Sequence, residues 1–399
     1  MNEFKFLHCA DLHLGCTPFH LEKRYDDFFS SFNSLINDAI SKKCKYILIS
    51  GDLFHLKVIN SKTLLKVIEL LEKAKNANIK VFVIEGNHDK AFYVDEDSWL
   101  NFLYKKGYII LLSHKIVDGK VVVDKDSIYE DDDVRIIGIG YLGSLTSEYI
   151  NNINLNIKKS KKFTILMLHA AINRFCGEDM GDINIDILNP LKKYIDYVAL
   201  GHIHTRYEYD NWCYNPGSLE NIRIKDGKKA EKKGYYIVNV IENNKEVEYI
   251  ESIKRKTNYV SFQLNNNQFI DEITEYIKNF EFDVKDEEIL ELTVYGNVSF
   301  NPYLINFDEI KNHIYKKYNL LYIEINNYIN IIRAEKELTN VLDIQSIETE
   351  AIKNYLDVNF PQLNNKELVI NDFHNLKQAF INGEEIDIII KNMLPGGDE

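Results

Sequence analysis

Phe4-Lys5-Phe6-Leu7-His8-Cys9 reads as a short buried strand, and Asp11-Leu12-His13 follows it almost at once. Four more stretches repeat the arrangement. Tyr46-Ile47-Leu48-Ile49-Ser50 leads into Gly51-Asp52, and Val81-Phe82-Val83-Ile84 leads into Gly86-Asn87-His88-Asp89. Phe163-Thr164-Ile165-Leu166-Met167-Leu168 ends at His169, and Tyr197-Val198-Ala199-Leu200 ends at Gly201-His202-Ile203-His204. Continuous apolar runs bounded by Gly and polar residues suit strands buried on both faces. In sheets of such strands, ligands collect just beyond the carboxyl ends. All five polar motifs fall there.

The motifs are rich in Asp, Asn and His. Together they supply seven or eight oxygen and nitrogen ligands, whereas one ion needs about three or four protein ligands. That number points to two divalent ions clamping a phosphate and its attacking water. Asp11/His13 and His202/His204 are each spaced i, i+2, which in extended chain puts both side chains on one side. No Cys stands at a motif position. The mixture of hard oxygen and imidazole suits Mn²⁺, Fe²⁺ or Zn²⁺ better than Mg²⁺. A lone Asp-x-His or Gly-His-x-His is a weak signal, and each pair considered alone reads as a solvated loop. Five motifs in order after five strands are specific.

This ordered set resembles the calcineurin-like phosphoesterase superfamily, and within it the DNA double-strand-break repair nucleases of the SbcD/Mre type. Leu7-His8-Cys9-Ala10-Asp11-Leu12-His13-Leu14-Gly15 is similar to the first block of that branch. Gly51-Asp52-Leu53-Phe54-His55 has His where Ser/Thr protein phosphatases carry a second Asp followed by Arg-Gly. Pro216-Gly217-Ser218 with Glu220 closes the nuclease core as in the branch. The resemblance covers residues 1–255 and extends to the remainder only as architecture.

The resemblance implies an α/β fold: a four-layer α-β-β-α sandwich, a small α+β capping domain and a C-terminal helical tail. It implies two ions, Mn²⁺ by preference. Asp11, His13 and His204 would hold the first, Asn87, His169 and His202 the second, and Asp52 would bridge them, because a carboxylate has two oxygens. His88 is the expected catalytic imidazole, contacting the scissile phosphate and assisting the leaving oxygen. Asp89 is expected to orient His88 by accepting its other ring N–H; the plainer reading is a turn cap. His55 either touches the phosphate or DNA end, or is a surface-loop histidine. His8 is out of phase with the site and reads as a hydrogen-bonded core histidine.

The implied activity is that of a two-metal DNA exonuclease/endonuclease acting on double-stranded ends and hairpins. The implied partners are a second copy of the chain, bound through helices of the nuclease domain such as Arg24–Lys42, and an SMC-like coiled-coil ATPase of the SbcC type. The alternative is a nucleotide or small-molecule phosphodiesterase of the same superfamily. Some 140 residues beyond the core argue against it, since a small substrate needs no cap or tail. A protein phosphatase lacks its Asp-Arg-Gly motif here, and a non-catalytic DNA-binding scaffold would not need every ligand.

At 399 residues the chain suits two or three domains. Lys254-Arg255-Lys256 marks a boundary. The divisions read as 1–255, a βαβαβ unit over 256–340 and amphipathic helices over 341–399, which the resemblance implies are the nuclease domain, a cap and a partner-binding segment; the plainer reading of the last is that its helices pack on the cap. Ile347, Ile352, Tyr355 and Leu356 form one apolar face of the tail; Phe373, Leu376, Phe380 and Ile386-Ile388-Ile389-Ile390 form another. Ser61 is a candidate N-cap for a helix over 64–74. No run of eighteen apolar residues occurs, so no membrane span is expected. Met1-Asn2-Glu3-Phe4-Lys5 enters a strand directly, which predicts no signal peptide and a cytoplasmic location. Five Cys at 9, 16, 44, 176 and 213, none in CxxC spacing, suit reduced thiols.

The net charge of −13 sits badly with a DNA-binding enzyme until its distribution is read. From Glu281 to Glu399 there are 10 Lys+Arg and 22 Asp+Glu, a net of −12, which leaves −1 for the first 280 residues. Two bound divalent ions would add about four positive charges at the site itself. The acidic C-terminal part suits protein contacts better than a grip on DNA; the plainer reading is that its charge serves only to keep the protein soluble.

Overall fold

The computed structural model describes residues 3–91, 97–118, 120–143, 146–153, 159–176, 182–227, 232–265, 268–332, 344–363 and 365–382. The chain forms two compact units, Met1–Asn330 and Ile331–Glu399.

The first unit is built on two six-stranded sheets. One takes β1 (Glu3–Cys9), β2 (Tyr46–Ile49), β3 (Lys80–Val83), β4 (Ile110–Leu111), β13 (Gly234–Ile241) and β14 (Asn244–Glu251), in the order β14-β13-β1-β2-β3-β4. The other takes β7 (Ile128–Glu130), β8 (Val134–Ile139), β9 (Phe163–His169), β10 (Tyr197–Gly201), β11 (Tyr207–Tyr209) and β12 (Cys213–Asn215), in the order β11-β12-β10-β9-β8-β7. A small hairpin pairs β5 (Lys115–Val117) with β6 (Lys120–Val122). The strands that precede the motifs are parallel: β1 to β2, β2 to β3, and β9 to β10.

Alternation along each strand creates the layers. Phe4, Phe6, Tyr46, Leu48, Phe82, Phe163, Ile165, Met167 and Tyr197 share one core between the sheets. Leu7, Cys9, Ile47 and Ile49 turn outward onto helices α1 (Glu22–Ser41), α2 (Ser61–Asn76) and α3 (Trp99–Lys105). Leu166, Leu168, Val198 and Leu200 turn outward on the opposite side, onto Ile150 of α4 (Thr146–Ile153) and Leu188 of the short α6 (Ile185–Leu188), which α5 (Asn173–Cys176) precedes. The four-layer α-β-β-α sandwich is therefore present. The stripe Phe28, Phe29, Phe32, Leu35 and Ile36 is buried as its helical spacing requires. The cap of α2 is Asn60, not Ser61: the Asn60 carboxamide oxygen accepts from Thr63 N–H at 2.8 Å, and Ser61 is the first helical residue.

His8 crosses between the sheets. Its Nδ1 lies 3.0 Å from Tyr197 Oη and its Nε2 3.0 Å from the Leu200 carbonyl. It is a core histidine, and burial, opposed only by the Leu200 hydrogen bond, pushes its pKa down to about 3. Arg24 is equally buried, gripping Asp27 at 2.6 Å, the Asn221 carbonyl at 2.7 Å and Glu220 at 3.3 Å.

After Arg255, a βαβαβ unit of three strands follows: β15 (Thr257–Leu264), β16 (Ile289–Val298) and β17 (Tyr322–Ile331), with α7 (Ile270–Asn279) and α8 (Phe307–Lys317). It has its own core, including Phe262, Ile273, Leu292, Ile310 and Ile323. Arg255 ties it to the sandwich: Nε and Nη2 hold both oxygens of Asp27 at 2.6 and 2.7 Å, and Nη1 donates to the Glu287 carbonyl at 2.6 Å.

The second unit holds α9 (Ile344–Asn359) and α10 (Lys366–Asn382). Leu356, Ile370 and Ala379 are buried, whereas Ile347, Tyr355, Phe373 and Phe380 are exposed. The expected face at Ile386–Ile390 lies outside the described residues. Among those residues no helix is long and apolar enough to cross a membrane. Cys9, Cys16, Cys44 and Cys213 are free and buried.

Candidate metal centre

The motifs gather on one rim because their parent strands are parallel neighbours. Two loops then zip together: Asp11 N–H donates to the Gly51 carbonyl at 3.1 Å, His13 N–H to Asp52 at 3.0 Å, and Leu14 N–H to Leu53 at 2.9 Å. Asp11, His13, Asp52 and His202 all have positive φ, between 45° and 90°. That left-handed backbone costs non-glycine residues about 1–2 kcal/mol each. The zipped loops hold Asp11, His13 and Asp52 in it, and His202, on the loop after β10, is held by its N–H donating to the Asp11 carboxylate at 3.1 Å.

Two donor sets converge. In the first, ligand atoms of Asp11, His13 and His204 lie within 4.8 Å of one another, with His13 Nε2 3.0 Å from His204 Nε2. The second joins Asp52, His169 and His202 within the same limit. Asn87 belongs to it, its Oδ1 being 3.2 Å from His169 Nε2 and 3.1 Å from His202 Nδ1. One oxygen of Asp52 faces both sets, at 3.8 Å from His13 Nε2 and 3.5 Å from His169 Nε2. Its other oxygen accepts the His88 N–H at 2.9 Å.

The donor chemistry fits cations. His169 donates Nδ1–H to the Ser50 carbonyl at 2.7 Å, which leaves the Nε2 lone pair aimed at two further acceptors, Asn87 Oδ1 and Asp52 Oδ2. Acceptors that converge in this way recruit positive charge. Burial is the largest influence and opposes charging His169, but the Asp52 and Asp11 carboxylates and the Ser50 carbonyl together outweigh it and lift the pKa to about 9. Burial would raise Asp52 as well, yet His169 and His13 hold it below its ordinary value. Burial lowers His13 and His202, and takes His204 to about 4, so these rings present lone pairs. Burial lifts Asp11 to about 7, opposed chiefly by His169.

Gly51 allows the close packing behind the site. Its φ is +91°, and a Cβ there would stand 2.1 Å from His169 Nδ1.

His88 and His55 line the first set. His88 Nδ1 lies 2.6 Å from the His55 carbonyl, so Nδ1 carries the proton. The His88 ring centroid is 4.8 Å from that of His13 and 5.6 Å from that of His55. His55 Nδ1 is 3.4 Å from His13 Nδ1. His13, His55 and His88 together form a third convergence of ligand atoms.

The expected hydrogen bond from the His88 ring N–H to the Asp89 carboxylate is not made; the ring N–H donates to the His55 carbonyl. Asp89 accepts instead from the N–H groups of Gly86, Phe54 and Leu53 at 3.0, 3.0 and 3.2 Å. It caps the 86–89 turn and ties it to the Asp52 loop, because three unpaired N–H groups surround it and the His55 carbonyl already takes the His88 ring proton.

Further residues near the site were not singled out from the sequence. Tyr141 has its ring centroid 5.2 Å from His202 and 6.0 Å from His169. Its place just past β8 was a usable signal. Asp182 stands 3.8 Å from His202 Nε2 in a loop without one. Lys233, 1 % exposed, donates to the His204 carbonyl at 2.7 Å.

A family model described as calcineurin-like phosphoesterase matches residues 4–206. The chain is also similar to three curated proteins, each named DNA double-strand break repair protein Mre11. That of Methanocaldococcus jannaschii is 33% identical over 258 residues, which cover 62% of this chain and 66% of that one. That of Methanococcus maripaludis is 27% identical over 389 residues, covering 93% and 97%. That of Sulfolobus acidocaldarius is 25% identical over 395 residues, covering 97% and 94%.

Proposed function

This chain belongs to the calcineurin-like phosphoesterase family, and from that premise we propose that it is a two-metal-dependent DNA nuclease. It hydrolyses phosphodiester bonds at double-stranded DNA ends and hairpins, as exonuclease and endonuclease, in double-strand-break repair. The observation that carries this reading is the pair of donor sets sharing Asp52, with the His88 ring beside them. The substrate class is drawn from relatives named for double-strand break repair.

Asp11, His13 and His204 would hold one ion, Asn87, His169 and His202 the other, and Asp52 both. The mixed oxygen and imidazole set favours Mn²⁺. Two such ions, when bound, supply Lewis acidity to the phosphoryl oxygens and lower the pKa of water. His88, its Nδ1–H fixed on the His55 carbonyl, leaves Nε2 for the departing sugar oxygen, to which it passes a proton when the ring is in its imidazolium form, becoming neutral imidazole as it does so. His55 holds that ring in place and offers its own to the phosphate. Asp89 acts one step back, by locking the loops that carry Asn87 and Asp52.

The roles divide as nuclease for 1–255, cap for 256–340 and partner binding for 341–399. Exposed Ile347, Tyr355, Phe373 and Phe380 support docking of an SMC-like coiled-coil ATPase of the SbcC type. A homodimer through α1 and a cytoplasmic location complete the proposal.

Cleavage of end-labelled double-stranded DNA and of bis-p-nitrophenyl phosphate with Mn²⁺, with and without chelator, tests the reading. Chelator-sensitive DNA cleavage is the expected result. Turnover of the small diester alone, with DNA intact at low salt and with the ATPase present, would favour a nucleotide or small-molecule phosphodiesterase.

A further inference from the structure

The loop carrying His202 and His204 runs from β10 to β11, and its backbone carbonyls need partners outside the sheet. Three successive carbonyls find them on distant residues. Asn215 Nδ2 uses both hydrogens, one on the Ile203 carbonyl at 2.7 Å and one on Thr205 at 2.8 Å. The His204 carbonyl between them accepts from Lys233 Nζ at 2.7 Å and from Ser218 N–H at 3.2 Å. Asn215 is fully buried and Lys233 nearly so. Gly217 lets the chain approach: its φ is +76°, and a Cβ there would stand 2.6 Å from the His204 oxygen.

We propose that Asn215 and Lys233 are positioning residues that clamp this loop and thereby set the spacing of the two ions. His202 belongs to one donor set and His204 to the other, so the backbone between them is the ruler. An amide with both hydrogens committed fixes the flanking peptide planes. A charge-assisted bond from a buried ammonium fixes the middle one. A lysine this buried is rare, and the Pro216-Gly217-Ser218 turn gains its purpose as the scaffold of the same clamp. The inference rests on the two-ion reading but not on the identity of the substrate.

The test uses the full-length chain, stripped with chelator and titrated with Mn²⁺, followed by electron paramagnetic resonance of the loaded protein. Asn215→Asp keeps the shape and replaces both donors with an acceptor; Lys233→Met keeps most of the volume and removes the donor. Each variant should fold, by circular dichroism, yet bind Mn²⁺ about 10–100-fold more weakly, with the spin-coupled dimanganese signal weakened. Should Asn215→Asp not fold, Asn215→Ser retains one donor and should show an intermediate loss. Folded variants that bind two ions within threefold of the wild-type affinity, with unchanged coupling, would overturn the clamp. A wild-type chain that binds fewer than two ions would overturn the two-ion reading and the clamp with it.

Discussion

Replacing His88 with Asn separates two jobs that the proposed mechanism gives to one residue. The backbone N–H of residue 88 holds Asp52 Oδ1 at 2.9 Å, and no side-chain change removes it. The ring, with Nδ1 on the His55 carbonyl at 2.6 Å, has its centroid 4.8 Å from that of His13 and keeps Nε2 uncommitted to that bond. His88→Asn should therefore leave both ions in place and remove only proton transfer. General acid catalysis is worth about 10²–10⁴-fold, which corresponds to about 3–5 kcal/mol of barrier. The assay is kcat on end-labelled double-stranded DNA at saturating Mn²⁺, with metal content counted in parallel. A second substrate sharpens it, because p-nitrophenolate leaves without needing a proton. The deficit on bis-p-nitrophenyl phosphate should shrink to within about tenfold. Loss of metal, a DNA deficit below tenfold, or equal deficits on both substrates would refute the reasoning.

Three further outcomes follow from the same geometry. Gly51→Ala drives a Cβ to 2.1 Å from His169 Nδ1, so Mn²⁺ affinity should fall at least about tenfold; a titration showing less than threefold would contradict this. Arg24→Met leaves Glu220 buried beside a missing guanidinium and should cost about 3–5 kcal/mol in urea unfolding. Adding Glu220→Gln should recover at least half, and a single-variant loss below about 1 kcal/mol would count against the buried pair. The His8 pKa is lowered by folding, from 6.5 to about 3, so the unfolded chain binds the extra proton first. Its contribution is complete above pH 6.5 and is lost as pH falls toward 3, reaching about 2 kcal/mol lost by pH 5. His8→Gln should flatten the stability slope between pH 7 and 5; an unchanged slope would place the acid sensitivity elsewhere.

The sandwich was legible because its central strands are buried on both faces, so Tyr46–Ile49 and Phe163–Leu168 stand out as unbroken apolar runs. The convergence of the candidate ligands was legible because parallel strands deliver their carboxyl ends to one rim. Local hydrogen bonding was harder to read. Asn60 and Ser61 are both good caps by type, and only the backbone conformation chooses Asn60. Asp89 beside His88 invited a carboxylate–imidazole pair, yet the carboxylate is claimed by three backbone donors. Lys233 lies in unremarkable sequence, and Asn215 only adjoins the Pro216-Gly217-Ser218 motif without itself carrying a signal. Their role exists only because β12 and the start of β13 bring them under a loop that precedes them in the chain.

The claim on which the account stands is that one carboxylate, Asp52, joins two ion sites, its Oδ2 facing His13 and His169 at 3.8 and 3.5 Å. The most direct measurement is the number of Mn²⁺ ions bound per chain, by equilibrium dialysis and elemental analysis, for the wild type and Asp52→Ala. The account predicts two ions in the wild type and none held tightly in the variant. One ion retained at wild-type affinity by Asp52→Ala would show that the two sites are independent and that Asp52 does not bridge them.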